Sequence, residues 1–272
     1  MQIPAGRERA IRHGLSLAGL IVLLWLFAVL GPTHGGFGYD AFAYWDVQFP
    51  NLYERSFGQL TAPGAFRYSP VIGLLMAPFH ALPLWVFLYF WTIAQVTVLV
   101  TIARRWSLAA CALVGVPVSI YEGNVDLFIA LSVVVGMRYP AAWAFAFLTK
   151  ASSCVGLLWF AARREWRQLA IALGATALIA IPTIIAWPDA WTTWLEVIID
   201  NARHAPEEFM PLAVRLPAAA IITVYAARTD RLWLVGLAVM LAQPNLALRA
   251  TAVGVAILGL RSPTIRPWRS QP

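Results

Sequence analysis

The sequence predicts an all-α membrane protein that crosses the bilayer repeatedly, and three observations predict it. Of the 272 residues, 60% are hydrophobic and only 12% charged, about half the roughly 25% charge of a soluble domain. The apolar runs are long and continuous, whereas barrel strands alternate over about ten residues. Small clusters of arginine punctuate those runs, as basic residues do at the ends of membrane helices.

Taken in order, the apolar stretches place spans at roughly 12–31, 84–103, 107–121, 124–137, 140–149, 151–162, 169–187, 211–226, 232–243 and 245–260. That is about ten transmembrane or partially spanning helices. The first follows Arg7, Arg9 and Arg12. Its apolar stretch, Leu15 to Leu30, is longer than a signal-peptide core and no small-x-small site follows, so it reads as a retained span. The stretch 32–67 is a large outer loop, "GFGYDAFAYWDVQFP" opening it. "FRYSPVIGLLMAPFHALP" at its end is too short to cross and reads as interfacial or re-entrant. In the second large loop, 188–210, Trp191, Trp194, Leu195, Val197 and Ile198 recur at the spacing of an amphipathic helix on a membrane surface. No internal repeat or linker appears, so 1–272 reads as a single integral membrane domain.

Arg7, Arg9, Arg12, Arg104, Arg105, Arg138, Arg163, Arg164, Arg167, Arg228, Arg231, Arg261, Arg266 and Arg269 fall on one side of this arrangement, 14 of the 20 Lys+Arg. Ten of the 13 acidic residues, Glu207 and Glu208 among them, fall on the other. Such asymmetry places the basic loops and both termini in the cytoplasm. It also absorbs the net charge of +7, so no nucleic-acid partner is implied. Cys111 and Cys154 sit in apolar runs without ligand spacing and read as small buried hydrophobes.

Several intervals are short. Asp126 to Arg138, Lys150 to Arg163, Arg215 to Arg228 and Arg249 to Arg261 are 12 or 13 residues each, a rise of roughly 18–20 Å against a hydrocarbon core of about 30 Å. The four charges at their outer ends then lie about 10 Å below the outer edge of the hydrocarbon. There a charge must line water or find a partner. The expectation is a recessed vestibule opening outward.

Motifs for nucleotide phosphates, dinucleotides and zinc proteases are absent. His13, His34, His80 and His204 are scattered, so neither a metal site nor a cofactor is expected.

"GYDAFAYW", "FRYSPVIGLLMAPFHALP", "YEGNVDLFIALSVV" and "AFAFLTKASSCVGLLWFAARREWR", in that order, resemble glycosyltransferase family 87 over roughly residues 12–190. Asp126 stands where that family often has Asn, and the chain is short for the family. The resemblance implies a GT-C-like fold in the cytoplasmic (inner) membrane with its site on the extracytoplasmic side. It further implies transfer of a single sugar, mannose above all, from a polyprenyl-phosphate carrier to a glycan or glycolipid acceptor. A carrier-linked donor also suits a compartment that has no nucleotide sugars. Its phosphate is a leaving group that needs no acid, so one carboxylate suffices.

Asp40 is the expected base, with Asp46 as its alternate; capping of a short helix at Ala41 is the structural alternative for Asp40. Lys150, Arg67, Arg215 and Arg249 are the expected phosphate ligands, with a Lys150–Asp126 ion pair and a snorkelling Arg67 as the alternatives. Tyr44, Trp45, Tyr68 and Tyr121 suit a sugar face or an isoprenoid, or a plain aromatic belt. Glu122, Asn124 and Asp126 face the same vestibule, although Gly123-Asn124 also reads as a simple turn. Two rival functions remain: a transporter or flippase with the same polar cavity, and a non-catalytic relative that binds lipid carriers.

Overall fold

The computed structural model describes residues 5–30, 36–49, 51–57, 64–203, 210–246 and 248–261. Arg266, Arg269, Glu207, Glu208, His34 and His204 lie outside the described residues. Among those described, every regular element is helical.

Helix α1 (Ala5–Trp25) runs into a π-helical turn, Leu26–Leu30. It turns Leu17, Leu20, Ile21 and Leu24 outward, the side-chain pattern of a lipid-facing surface. After the short α2 (Tyr39–Trp45) come α3 (Pro70–Met76), prolonged by the 3₁₀ turn Ala77–Ala81, and α4 (Leu84–Ala103). Pro83 sets the extended backbone just before α4 begins. Next are α5 (Ser107–Ala110), α6 (Gly115–Glu122), α7 (Asp126–Gly136) and α8 (Trp143–Thr149). A 3₁₀ segment, Ala151–Leu157, leads into α9 (Leu158–Ala162) and then α10 (Trp166–Ala186). Pro188 stops α10 one residue early and opens α11 (Pro188–Arg203). The chain closes with α12 (Leu212–Thr229), α13 (Trp233–Leu241), the 3₁₀ segment Leu248–Val255 and α14 (Ala256–Leu260).

The expected count of about ten spans is not met by helices of crossing length. Four are long and apolar enough, namely Gly6–Val29, Leu84–Ala110, Trp166–Ala186 and Leu212–Thr229. The pair α6 and α7, bent by 113° at their junction, makes a fifth if taken as one span. The remaining apolar helices, Pro70–Ala81, Pro140–Thr149, Ala151–Ala162 and Leu248–Leu260, are too short for a straight crossing. Asp126, Lys150 and Arg249 each stand at or within one residue of the start of such a short element. Three of the short intervals read from the charge clusters therefore begin at short elements, whereas the fourth, Arg215 to Arg228, lies inside the 18-residue α12, which is long enough to cross. The segment 188–203 is helical as expected, burying Trp194 and Val197 while Leu195, Ile198 and Ile199 stay exposed.

A broken helix in an apolar setting leaves carbonyls that need donors. Helix α4 supplies them at the α6–α7 break. Trp91 Nε1 donates to the Gly123 carbonyl at 2.7 Å. One turn on, the amide of the fully buried Gln95 meets the carbonyls of Ser119 and Asn124 at 3.2 and 3.0 Å, and two acceptors there assign its nitrogen to that side. Gly123 makes the turn itself with φ 76°, a conformation costly to any residue with a Cβ. A Cβ there would also strike Ala41 of α2.

The segment Leu248–Val255 packs against both halves of the broken pair. Gly115 lets it approach, since a Cβ at that position would run into the Leu248 carbonyl and the Thr251 hydroxyl. This close approach sets Arg249 beside the end of α6.

The ion pairs keep the two charge sets of the sequence apart. Glu8 pairs with Arg105 at 2.7 Å, and Arg163 bridges Glu165 and Asp230. All of these belong to the basic-loop side. Asp40, Asp46, Glu122 and Asp126 pair instead with Arg55, Lys150 and Arg249.

Candidate active site

Helix α2 presents Asp40 in its first turn. The α2 N-terminus is tied to the broken helix by a 2.8 Å bond from the Gly38 amide to the Tyr121 carbonyl. That bond seats Asp40 over the break, where Asn124 Nδ2 donates to Asp40 Oδ2 at 2.7 Å. The helix begins at Tyr39 with no side-chain cap, so Asp40 is not the capping residue that the sequence also allowed. Arg249 Nη1 lies 3.6 Å from the same Asp40 oxygen and 2.8 Å from Glu122 Oε2. One guanidinium therefore serves two carboxylates, and the Asn124 amide fixes one of them. Side-chain exposures of 17% for Asp40, 26% for Glu122 and 30% for Arg249 leave the cluster reachable.

A second pair lies deeper. Lys150 Nζ is 2.5 Å from Asp126 Oδ1, the aspartate being fully buried and the lysine 15% exposed. The ion pair is thus the resting arrangement of Lys150, whose hydrogen-bond partner is Asp126 and not Asp40. Asp126 Oδ2 meets no donor, so a further group with a proton to give would find an acceptor there.

Tyr68 lies in the field of both pairs: burial raises its hydroxyl well above the ordinary tyrosine range, and the charges of Asp40, Asp126 and Arg249 all reach it. Its Oη is 2.9 Å from that of Tyr44, which is buried and raised in the same way. Both stay neutral hydrogen-bonding groups. Tyr44, packed on Trp91 with ring centres 5.3 Å apart, offers no face to a ligand, so the structural alternative describes it best. Tyr121 likewise packs edge-on to Phe27 and Phe37, and Trp45 packs on His80. The Arg67 guanidinium, in the segment before α3, is lowered by partial burial and held up by Tyr68 and Asp40. It therefore shares the electrostatic field of the Asp40 cluster.

Two expected residues sit elsewhere. Asp46 is held by Arg55 at 2.6 Å. Arg215 is buried and donates to the carbonyls of Met210, Leu241, Gln243 and Pro244 at 2.6–3.1 Å. It braces the loop after α13, and these carbonyls stand where the sequence predicts a phosphate. Sequence reasoning missed Trp91 and Gln95, although a glutamine inside a 20-residue apolar run was a visible signal of a buried polar task.

The residues that meet here set an aspartate beside a guanidinium, with the buried Lys150–Asp126 pair within their electrostatic field. The family model of glycosyltransferase family 87 matches residues 66–268. That stretch contains Arg67, Glu122, Asn124, Asp126, Lys150 and Arg249, while Asp40 precedes it; the match starts later and reaches further than the resemblance of the quoted motifs. No curated protein and no solved structure matches the chain. With about three quarters of its length matched, the chain belongs to glycosyltransferase family 87 and is a membrane-embedded glycosyltransferase.

Proposed function

We propose that the protein transfers one sugar, mannose, from a polyprenyl-phosphate carrier to a glycan or glycolipid acceptor on the extracytoplasmic face of the inner membrane, within a GT-C-type architecture. The observation that supports this reading is the pairing of an anchored, partly exposed carboxylate with a guanidinium at 3.6 Å, with a second cation, Lys150, held by the buried Asp126 in the same electrostatic field. Asn124 engages Asp40 Oδ2, which leaves Oδ1 to accept the proton of the acceptor hydroxyl. The hydroxyl oxygen forms its bond to the anomeric carbon opposite the phosphate. The bond from that carbon to the phosphate oxygen breaks, and its electron pair leaves on the polyprenyl phosphate. The anomeric configuration inverts in this single displacement.

Lys150, Arg67 and Arg249 receive the charge that develops on the phosphate. Arg215 has no place in this scheme, since backbone carbonyls occupy its donors. Lys150 reaches the phosphate by exchanging Asp126 for it.

Replacing Asp40 with Asn tests the proposal. The carboxamide oxygen still accepts from Asn124, so the fold and membrane insertion persist. Transfer from purified polyprenyl-phosphate mannose is expected to fall by about 10²–10⁴-fold. Full turnover by that variant removes the base assignment.

A further inference from the structure

A cavity of about 410 Å³ opens between the loop 49–57 and the junction of α10 with α11. Its volume is within the range of small-molecule sites, roughly 300–1,000 Å³. The wall pairs Phe49 with Trp187, ring centroids 5.4 Å apart. Glu54 and Asp189 bring two carboxylates, Tyr53 and Thr193 bring hydroxyl oxygens, and Asn51 brings an amide that both donates and accepts. Both hydroxyls already donate elsewhere, Tyr53 to the Tyr68 carbonyl at 2.8 Å and Thr193 to the Asp189 carbonyl at 2.8 Å. Toward the cavity they therefore act as acceptors. Among the described residues no Lys, Arg or His lines it.

A wall of aromatic faces, acceptor oxygens and one neutral amide, with two carboxylates and no cation, repels phosphates and carboxylates. It suits an uncharged ligand that brings its own hydroxyl donors and an apolar ring face. That combination describes a neutral sugar. The cavity is also joined to the Asp40 cluster. Tyr53 holds the Tyr68 backbone, Tyr68 meets Tyr44 hydroxyl to hydroxyl, and Tyr44 lies one helical turn beyond Asp40 on α2. Trp194 of α11 ties the helix that lines the cavity to the segment carrying Tyr68 by donating to the Arg67 carbonyl at 3.2 Å.

We infer that this cavity holds a neutral sugar unit of the acceptor, distal to the unit whose hydroxyl is glycosylated at Asp40. The inference rests on the glycosyltransferase reading and adds a specificity: acceptors with an uncharged polyhydroxyl segment are taken, and those carrying uronic acids or phosphate there are refused.

The test uses the full chain in lipid nanodiscs with mannotriose and trigalacturonate as probes, read by saturation-transfer NMR. Mannotriose is expected to receive saturation, and trigalacturonate roughly tenfold less. Trp187→Ala removes one stacking face and is expected to weaken mannotriose binding by about tenfold. The surface pair Glu54→Gln with Asp189→Asn keeps the fold and admits trigalacturonate. Equal mannotriose binding by Trp187→Ala, or equal binding of both probes by the unaltered protein, overturns the inference. Asp40→Asn separates the two readings: mannotriose binding is expected to persist while transfer is lost. If that variant still transfers sugar, the base assignment fails and the cavity's binding results stand on their own.

Discussion

Asn124 donates to Asp40 at 2.7 Å across 84 positions of the chain. Neither residue reaches the other without the 113° break between α6 and α7, because the break turns Asn124 toward α2. Asn124 is therefore a positioning residue for the carboxylate. Its replacement by Ala removes a hydrogen bond to a charged group, about 1.5–3 kcal/mol. The expected outcome is a fall in kcat of about 10–100-fold with the donor KM little changed, together with a modestly lowered melting temperature. A rise in donor KM with constant kcat would assign Asn124 to donor binding instead.

The Lys150–Asp126 pair separates folding from function. Lys150→Met strands a fully buried carboxylate, and such a loss costs about 3–5 kcal/mol. Thermal unfolding in detergent is expected to show that variant as severely destabilised. Adding Asp126→Leu removes the stranded charge and is expected to restore most of the stability. Transfer stays absent in the double variant if Lys150 meets the carrier phosphate, and recovery of transfer would reduce the pair to a structural role.

Arg249 holds two carboxylates apart from repulsion. Arg249→Met leaves Glu122 and Asp40 facing one another with no cation between them. Adding Glu122→Gln relieves that repulsion but does not restore the cation proposed to hold the phosphate. The double variant is therefore expected to regain stability over Arg249→Met while transfer remains at least about tenfold down, one charge-assisted bond being worth roughly that much.

Gln95 caps the break from inside α4. Gln95→Leu leaves the carbonyls of Ser119 and Asn124 without that donor, a loss of about 1–3 kcal/mol. A lowered unfolding temperature is expected, together with reduced transfer, because the same break carries Asn124. Stability equal to the unaltered protein would show that the break needs no donor from α4.

Much of this molecule was legible in its sequence. Continuous apolar runs fix the membrane class, since lipid accepts no unsatisfied backbone and only helices satisfy their own. The spacing of arginine clusters marked three of the short elements, because 12 or 13 residues cannot cross about 30 Å, but not α12, which begins before Arg215 and runs 18 residues. The charges at their ends, Asp126, Lys150, Arg215 and Arg249, were bound to have partners, because an isolated charge at that depth is too costly to keep. Which partner each one took was decided only in three dimensions. Arg215 went to four carbonyls, Lys150 to Asp126, and Arg249 to Glu122 with Asp40 beside it. Those choices depend on where broken helices meet, through contacts such as Gly115 on Leu248 and Gly38 on Tyr121, and pairing across such distances leaves no local pattern along the chain.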